Sequence, residues 1–187
     1  AFFPCAISGG STWNTELVND LGKELGNEAR AKNVDVLLGP TINIHRHPLG
    51  GRHFECFSED PFLTGKIAIE YVKGVQSKNI AACLKHFVGN DTEFERYTVS
   101  SNIDERTLRE IYLLPFEMAI KEANAKVVMS AYNKLNNIFC CCIVYQTFLS
   151  MVSVAAPDIV ISRTVKYQYH IIAEYQYYIT YIDMCYA

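Results

Sequence analysis

The sequence predicts an α/β fold in which parallel strands alternate with amphipathic helices, and three observations predict it. Short apolar runs at 34–38, 80–84 and 126–131 recur along the chain, as strands covered on both faces require. Between them apolar residues return every three or four positions, the period of a helix with one buried face. Each run is followed by a polar stretch before the next helix begins. That order implies parallel strands joined by right-handed helical crossovers, in either an open sheet or a (β/α) barrel.

The first helical stretch carries Leu17, Leu21 and Leu25 at helical spacing, which marks them as its apolar stripe. The second carries Ile67, Tyr71 and Val75 behind Ser58-Glu59-Asp60-Pro61, a helix-opening turn in which Ser and Asp side chains satisfy free amides. The third carries Leu108, Ile111 and Tyr112 and is opened by Asp104; Pro115 inside it should kink or shorten it. Composition divides the chain near Asn136–Asn137. All ten glycines lie at or before Gly89, whereas eight of the twelve tyrosines and four of the seven cysteines follow Asn137. Residues 1–136 therefore read as the folded domain and 137–187 as a divergent apolar, tyrosine-rich tail. A translated intron or a frame-shifted segment would produce such a tail.

Half of the 187 residues are hydrophobic, a fifth are charged and the net charge is −3, which suits a packed core and gives no basic footprint for nucleic acid. The cysteine count is odd, with no CxxC pair or regular framework, so thiols are expected rather than disulfides. Ala1-Phe2-Phe3-Pro4-Cys5 has neither a basic leader nor an apolar stretch long enough for a signal peptide, and the chain reads as starting within a longer protein. The uncharged run 138–156 approaches membrane-span length, but Gln146, Thr147, Ser150 and Ser153 interrupt it. A sticky tail is expected there in preference to a span.

Polar groups on the loops that follow strands are the site candidates, because successive strand ends converge on one rim. Gly50-Gly51-Arg52 puts a guanidinium after a tight turn, suited to a ligand's hydroxyls or carboxylate; the plainer reading pairs Arg52 with Glu55 or Asp60. Lys85-His86 closes an apolar strand with a cationic donor and an imidazole. The plainer reading sends Lys85 to solvent and bonds His86 to the backbone. His45, His47 and His53 lack a further ligand to complete a metal set and read as hydrogen-bonded loop histidines. Gly9-Gly10 and Gly50-Gly51 match no dinucleotide fingerprint or phosphate loop, so no nucleotide cofactor is indicated. Carboxylates at Glu55, Glu59, Asp60, Asp91, Glu93, Glu95 and Asp104 are plentiful without defining a catalytic pair.

Four motifs in order carry a resemblance. They are Asn43-Ile44-His45-Arg46-His47-Pro48-Leu49-Gly50-Gly51-Arg52-His53-Phe54-Glu55 within 39–61, Lys85-His86-Phe87-Val88 with Asn90-Asp91, Asp104-Glu105-Arg106-Thr107-Leu108-Arg109-Glu110, and Met129-Ser130-Ala131-Tyr132-Asn133-Lys134-Leu135-Asn136. Together they closely resemble glycoside hydrolase family 3, particularly its fungal β-glucosidases, over about 1–136. The resemblance implies a partial (β/α)8 TIM-type barrel and retaining hydrolysis of terminal β-D-glucosyl residues through a glycosyl-enzyme intermediate, with no cofactor. The implied substrate is a β-glucoside or short β-glucan oligosaccharide. By matching motif, Arg52, Lys85 and His86 would hydrogen-bond the sugar in the first subsite, and Tyr132 would lie beside the reacting centre.

Two departures accompany the match. The family's nucleophile is an Asp in a Ser-Asp-Trp type sequence at the end of the strand after the Tyr132 motif, and this chain has no such sequence. The segment 158–164 echoes that strand, but Arg163 or Thr164 stands where the Asp belongs, and Asp158 lies at the wrong end. The acid/base carboxylate belongs to a later domain of the family. The expectation is a β-glucosidase fragment, unstable and inactive alone; the alternative is a non-catalytic sugar-binding or membrane-tethered remnant.

Overall fold

The structure, a computed structural model, describes residues 2–142 and 160–162. Its centre is a parallel sheet of order β1-β2-β4-β7, formed by β1 (Val36–Leu37), β2 (Ala81–Phe87), β4 (Val127–Ser130) and β7 (Val160–Ser162). All three pairings are parallel, as the strand–loop–helix order predicts. The first strand is shorter than the run at 34–38, because its ladder is interrupted at a turn where Gly39 N donates to Leu37 O at 2.8 Å. Pairing with β2 then resumes through Gly39 O and Pro40 O, which accept from Cys83 N and Lys85 N at 2.9 and 3.1 Å.

Helices cover one face of the sheet. The first two, α1 (Ala6–Ser11) and α2 (Thr15–Ala31), precede β1; α3 (Pro61–Gln76) connects β1 to β2, and α5 (Leu114–Ala123) precedes β4. Sequence chemistry sets their starts. Asn14 accepts from Leu17 N at 3.0 Å to open α2, and Asp60 accepts from Leu63 N at 2.7 Å to open α3 with Pro61 in its first turn. Asp104 likewise caps α4 (Glu105–Thr107) through Thr107 N; such caps satisfy amides that the helix itself leaves free. A π-helical segment, Leu108–Tyr112, then runs into α5, with Pro115 in the first turn of α5. The continuous third helix is thus divided where the proline removes a donor.

The apolar stripe of α2 is not the one its leucines predict. Leu17 is 52% exposed, and the buried residues are Val18, Gly22, Gly26 and Ala29. Small residues face α3 because the helices approach closely: a Cβ on Gly22 would lie 2.6 Å from Tyr71 O, and one on Gly74 would lie 2.9 Å from the Gly22 Cα. Leu21 and Leu25 flank that contact half-buried. Under the helices the core gathers Ile67, Val72, Ala82, Leu84, Phe116 and Val128, with Phe87 and Phe116 in edge-to-face contact at 5.0 Å. Cys83, Val127 and Met129 form a small separate cluster.

Beyond the C-terminal ends of the strands lies a second, three-stranded sheet of order β3-β5-β6, formed by β3 (Ser100–Ser101), β5 (Lys134–Leu135) and β6 (Ile138–Phe139). Asn136 ties it together, accepting from Ile103 N and donating to Ile103 O, both at 2.8 Å. The β5–β6 hairpin passes through Asn136 and Asn137, both at positive φ, a conformation that asparagine tolerates better than most residues. The six described cysteines are all thiols. No described helix is long and apolar enough to cross a membrane. Most of the run 138–156, together with Asp158, Arg163 and Thr164, lies outside the described residues.

Candidate functional site

Lys85 and His86 stand at the C-terminal end of β2, and the long loop after β1 folds over them. Gly51 permits this: a Cβ there would lie 2.7 Å from Glu93 Cγ of the loop after β2. The next residue, Arg52, leads into a 3-10 turn, His53–Glu55, which brings Glu55 back beside it. Arg52 Nε donates to Glu55 Oε1, and its Nη1 lies 3.1 Å from His86 Nε2. Lys85 Nζ is 3.6 Å from Glu55 Oε2, which also accepts from Thr41 Oγ1 at 2.8 Å. Three of the four sequence-predicted site residues are therefore brought together: Arg52 and Lys85 share the Glu55 carboxylate, and Arg52 reaches His86.

Electrostatics assign their states. Burial alone would raise the Glu55 pKa, but hydrogen bonds from Arg52 and Thr41 and the charge of Lys85 outweigh it and bring it below its ordinary value. Glu55 is an ionised counter-ion, not an acid. His86 is pushed down to about 3, first by burial and then by the neighbouring charges of Arg52 and Lys85. It is a neutral imidazole at physiological pH. A guanidinium only donates, so His86 Nε2 accepts from Arg52 and Nδ1 carries the proton. That Nδ1 is buried without a hydrogen-bond partner, a donor left available at the strand end. The His86 backbone is held by Asn43, whose Oδ1 accepts from His86 N and whose Nδ2 donates to His86 O, both at 2.9 Å.

Tyr132 follows β4 but joins a neighbouring cluster. Its ring lies 4.9 Å from that of Tyr97, with the Arg96 guanidinium 5.5 Å above it and 5.1 Å from Tyr97. Arg96 also pairs with Glu93 at 3.3 Å, and its charge contributes to holding down the His86 pKa. The link between Tyr132 and the other three thus runs through Arg96. Sequence reasoning passed over Arg96, Tyr97 and Asn43, since only the fold brings their long loops together. Glu55 had a signal in the Arg-x-x-Glu spacing, the separation that closes one helical turn.

The other carboxylates separate by role. Asp60 and Asp104 are caps, and Glu93 is the partner of Arg96. Asp91 is pushed up to about 6 by burial, against the opposing effects of a Tyr112 hydrogen bond and the Arg46 charge. Arg46 itself lies 5.7 Å above the Tyr112 ring. Among the loop histidines, His45 Nε2 donates towards His53 O and Cys56 O at 2.9 and 3.1 Å, and His47 Nδ1 accepts from Leu49 N at 3.1 Å. Among the described residues no group of three or more His, Cys, Asp or Glu side chains is arranged to hold a metal ion.

The strand beside β4 is the one that the resemblance gives to the nucleophile. The 158–164 echo contains β7, whose Ser162 stands opposite Met129.

Comparison with known proteins adds to this geometry. Residues 1–143 match the glycosyl hydrolase family 3 N-terminal domain. The chain is 58% identical over 139 residues to a β-glucosidase from Rhizobium radiobacter, covering 74% of this chain and 17% of that protein. It is 54% identical over 138 residues to thermostable β-glucosidase B from Acetivibrio thermocellus, covering 74% and 18%. Among solved structures, β-glucosidase 3B from Thermotoga neapolitana in complex with glucose superposes with a TM-score of 0.82 at 46% identity, over 87% of this chain and 23% of that one. The chain thus spans less than a quarter of the length of these relatives. Ordered motifs, parallel sheet and family match agree, and the chain belongs to glycosyl hydrolase family 3.

Proposed function

We propose that this chain forms the glucosyl-holding part of a retaining β-glucosidase, one sector of a (β/α)8 barrel that takes β-glucosides or short β-glucan oligosaccharides at the C-terminal end of β2. The observation that carries the reading is the pairing of Arg52 and Lys85 with Glu55 and of Arg52 with His86, whose Nδ1–H is unpartnered beside them. Sugar hydroxyls both donate and accept, so two cations and a neutral imidazole donor suit them. Arg52 and Lys85 supply charge-assisted bonds, which exceed neutral ones in strength. Glu55 keeps both cations from folding away when no sugar is bound. Tyr132, braced by Arg96, stands beside the reacting carbon. Hydrogen bonds that tighten as the ring flattens towards an oxocarbenium ion lower the barrier selectively.

Hydrolysis also needs a nucleophile, and in this chain Arg163 or Thr164 stands where an aspartate would form the glycosyl ester. The expected behaviour of the purified chain is therefore saturable glucose binding without turnover of aryl β-glucosides. Titration calorimetry with glucose, alongside an aryl-glucoside assay, tests both halves. Lys85→Ala should weaken glucose binding roughly tenfold or more, the cost of one charge-assisted hydrogen bond. Unchanged binding would remove Lys85 from the site, and measurable turnover would refute the missing-nucleophile reading.

A further inference from the structure

Asn133 follows Tyr132 and is 1% exposed, a buried amide that no sugar contact accounts for. Its Nδ2 lies 3.2 Å from Val88 O, 3.1 Å from Lys134 O, 3.4 Å from Ser101 Oγ and 3.6 Å from Cys140 Sγ. Backbone carbonyls only accept, so the nitrogen and not the oxygen of the amide faces Val88 and Lys134. Its Oδ1 is left buried without a hydrogen-bond partner. A buried acceptor without a partner is costly, and the amide keeps this orientation because of what its nitrogen joins.

The nitrogen joins both ends of one loop. Val88 directly follows β2, Ser101 lies in β3, and Arg96 and Tyr97 stand on the stretch between them. Ser101 Oγ donates to Gly89 O at 2.6 Å, which closes the loop at the same point, and its oxygen is still able to accept from Asn133. Tyr132 in turn is tethered to the end of β2 on both sides. Ala131 N donates to Phe87 O at 2.6 Å before it, and Asn133 Nδ2 donates to Val88 O after it. Away from these ties Arg96 Nη2 donates to Tyr97 Oη at 3.1 Å, and both residues lie against the Tyr132 ring. We propose that Asn133 is a positioning residue: by fastening both ends of the 88–101 loop beside Tyr132, it sets Arg96 and Tyr97 against that ring and fixes the ring in the sugar site. Its consequence for binding rests on the glucosyl-holding reading above; the tether itself does not.

The test combines amide hydrogen exchange with glucose calorimetry on the full chain. Asn133→Asp keeps the shape of the side chain but turns an oxygen towards Val88 O and Lys134 O, so it removes the donor without opening a cavity. Exchange at Arg96, Thr98 and Val99, whose amides bond within the loop, should quicken roughly fivefold or more, the worth of a typical hydrogen bond, while the amides of α3 stay as they were. Glucose binding should weaken roughly tenfold, within the range that coupled neighbours show. Because that loss passes through Tyr132, Asn133→Asp should add little to Tyr132→Ala, yet multiply with Lys85→Ala, whose ammonium is held by Glu55 instead. A general loosening of the fold would multiply with both. Ser101→Ala opens the base of the loop with Asn133 in place; it should show the same pattern more weakly, and it decides the matter if the Asp variant does not fold. Unchanged exchange in the loop, or equal multiplication with Tyr132→Ala and Lys85→Ala, overturns the proposal. A parent chain that binds no glucose overturns the sugar reading instead, and loop exchange alone then decides whether Asn133 holds the loop.

Discussion

Single residues set the chemistry of this site through their ionisation. His86 is neutral with a pKa pushed down to about 3, whereas in an unfolded chain a histidine titrates near 6.5. As pH falls from about 6.5 towards 3 the unfolded chain binds the proton first, so the folded state loses stability across that window. The loss is on the order of a few kcal/mol, because each tenfold difference in proton affinity is worth about 1.4 kcal/mol. His86→Gln should flatten the fall of the urea midpoint between pH 6.5 and 4; an equally steep fall in the variant would place the sensitive group elsewhere. Asp91 works in the opposite sense. Its pKa is pushed up to about 6 by burial, so its ionisation costs the folded state stability as pH rises from about 4 through 6. Asp91→Asn should be more stable relative to the parent chain at pH 7 than at pH 4, by about 2 kcal/mol. Chemical denaturation at the two pH values measures the difference, and no difference would show that Asp91 is solvated.

Elements are set by capping and by how closely they pack. The caps at Asp60 and Asp104 and the break at Pro115 were legible in the sequence, because each acts on its own neighbours along the chain. The buried face of α2 was not. Leucine spacing pointed to Leu17, but a hydrophobic pattern registers glycine weakly, while the neighbouring helix selects the face that lets two backbones approach. Gly74→Ala should therefore destabilise the fold by about 1–3 kcal/mol, the usual cost of forcing atoms into a packed contact. Gly9→Ala is the control, since an added Cβ there meets nothing within 4 Å. A thermal melt that shifts equally for both variants would show that α2 and α3 are not held at this distance.

At the scale of the whole molecule the β1 edge of the described sheet is decisive. Among the described residues β1 pairs only with β2, and Val36 on it and Leu38 just after it are 40% and 51% exposed. An unpaired apolar edge recruits other strands. Val36→Lys should raise the monomer fraction of the purified chain in light scattering, and unchanged association would move the sticky surface away from this edge.

The sequence by itself determined the family, the alternation of parallel strands and helices, the caps, the place of Arg52 on the loop after β1 and the strand-end positions of Lys85, His86 and Tyr132, because each depends on residues close together in the chain. Only the tertiary structure decided that Glu55 gathers Arg52 and Lys85, that Asn43 holds the His86 backbone, and that Arg96 stands between Tyr132 and the rest. It also decided which nitrogen of His86 carries the proton. These contacts join loops separated by tens of residues, and burial and field strength depend on distances that exist only once the chain has folded.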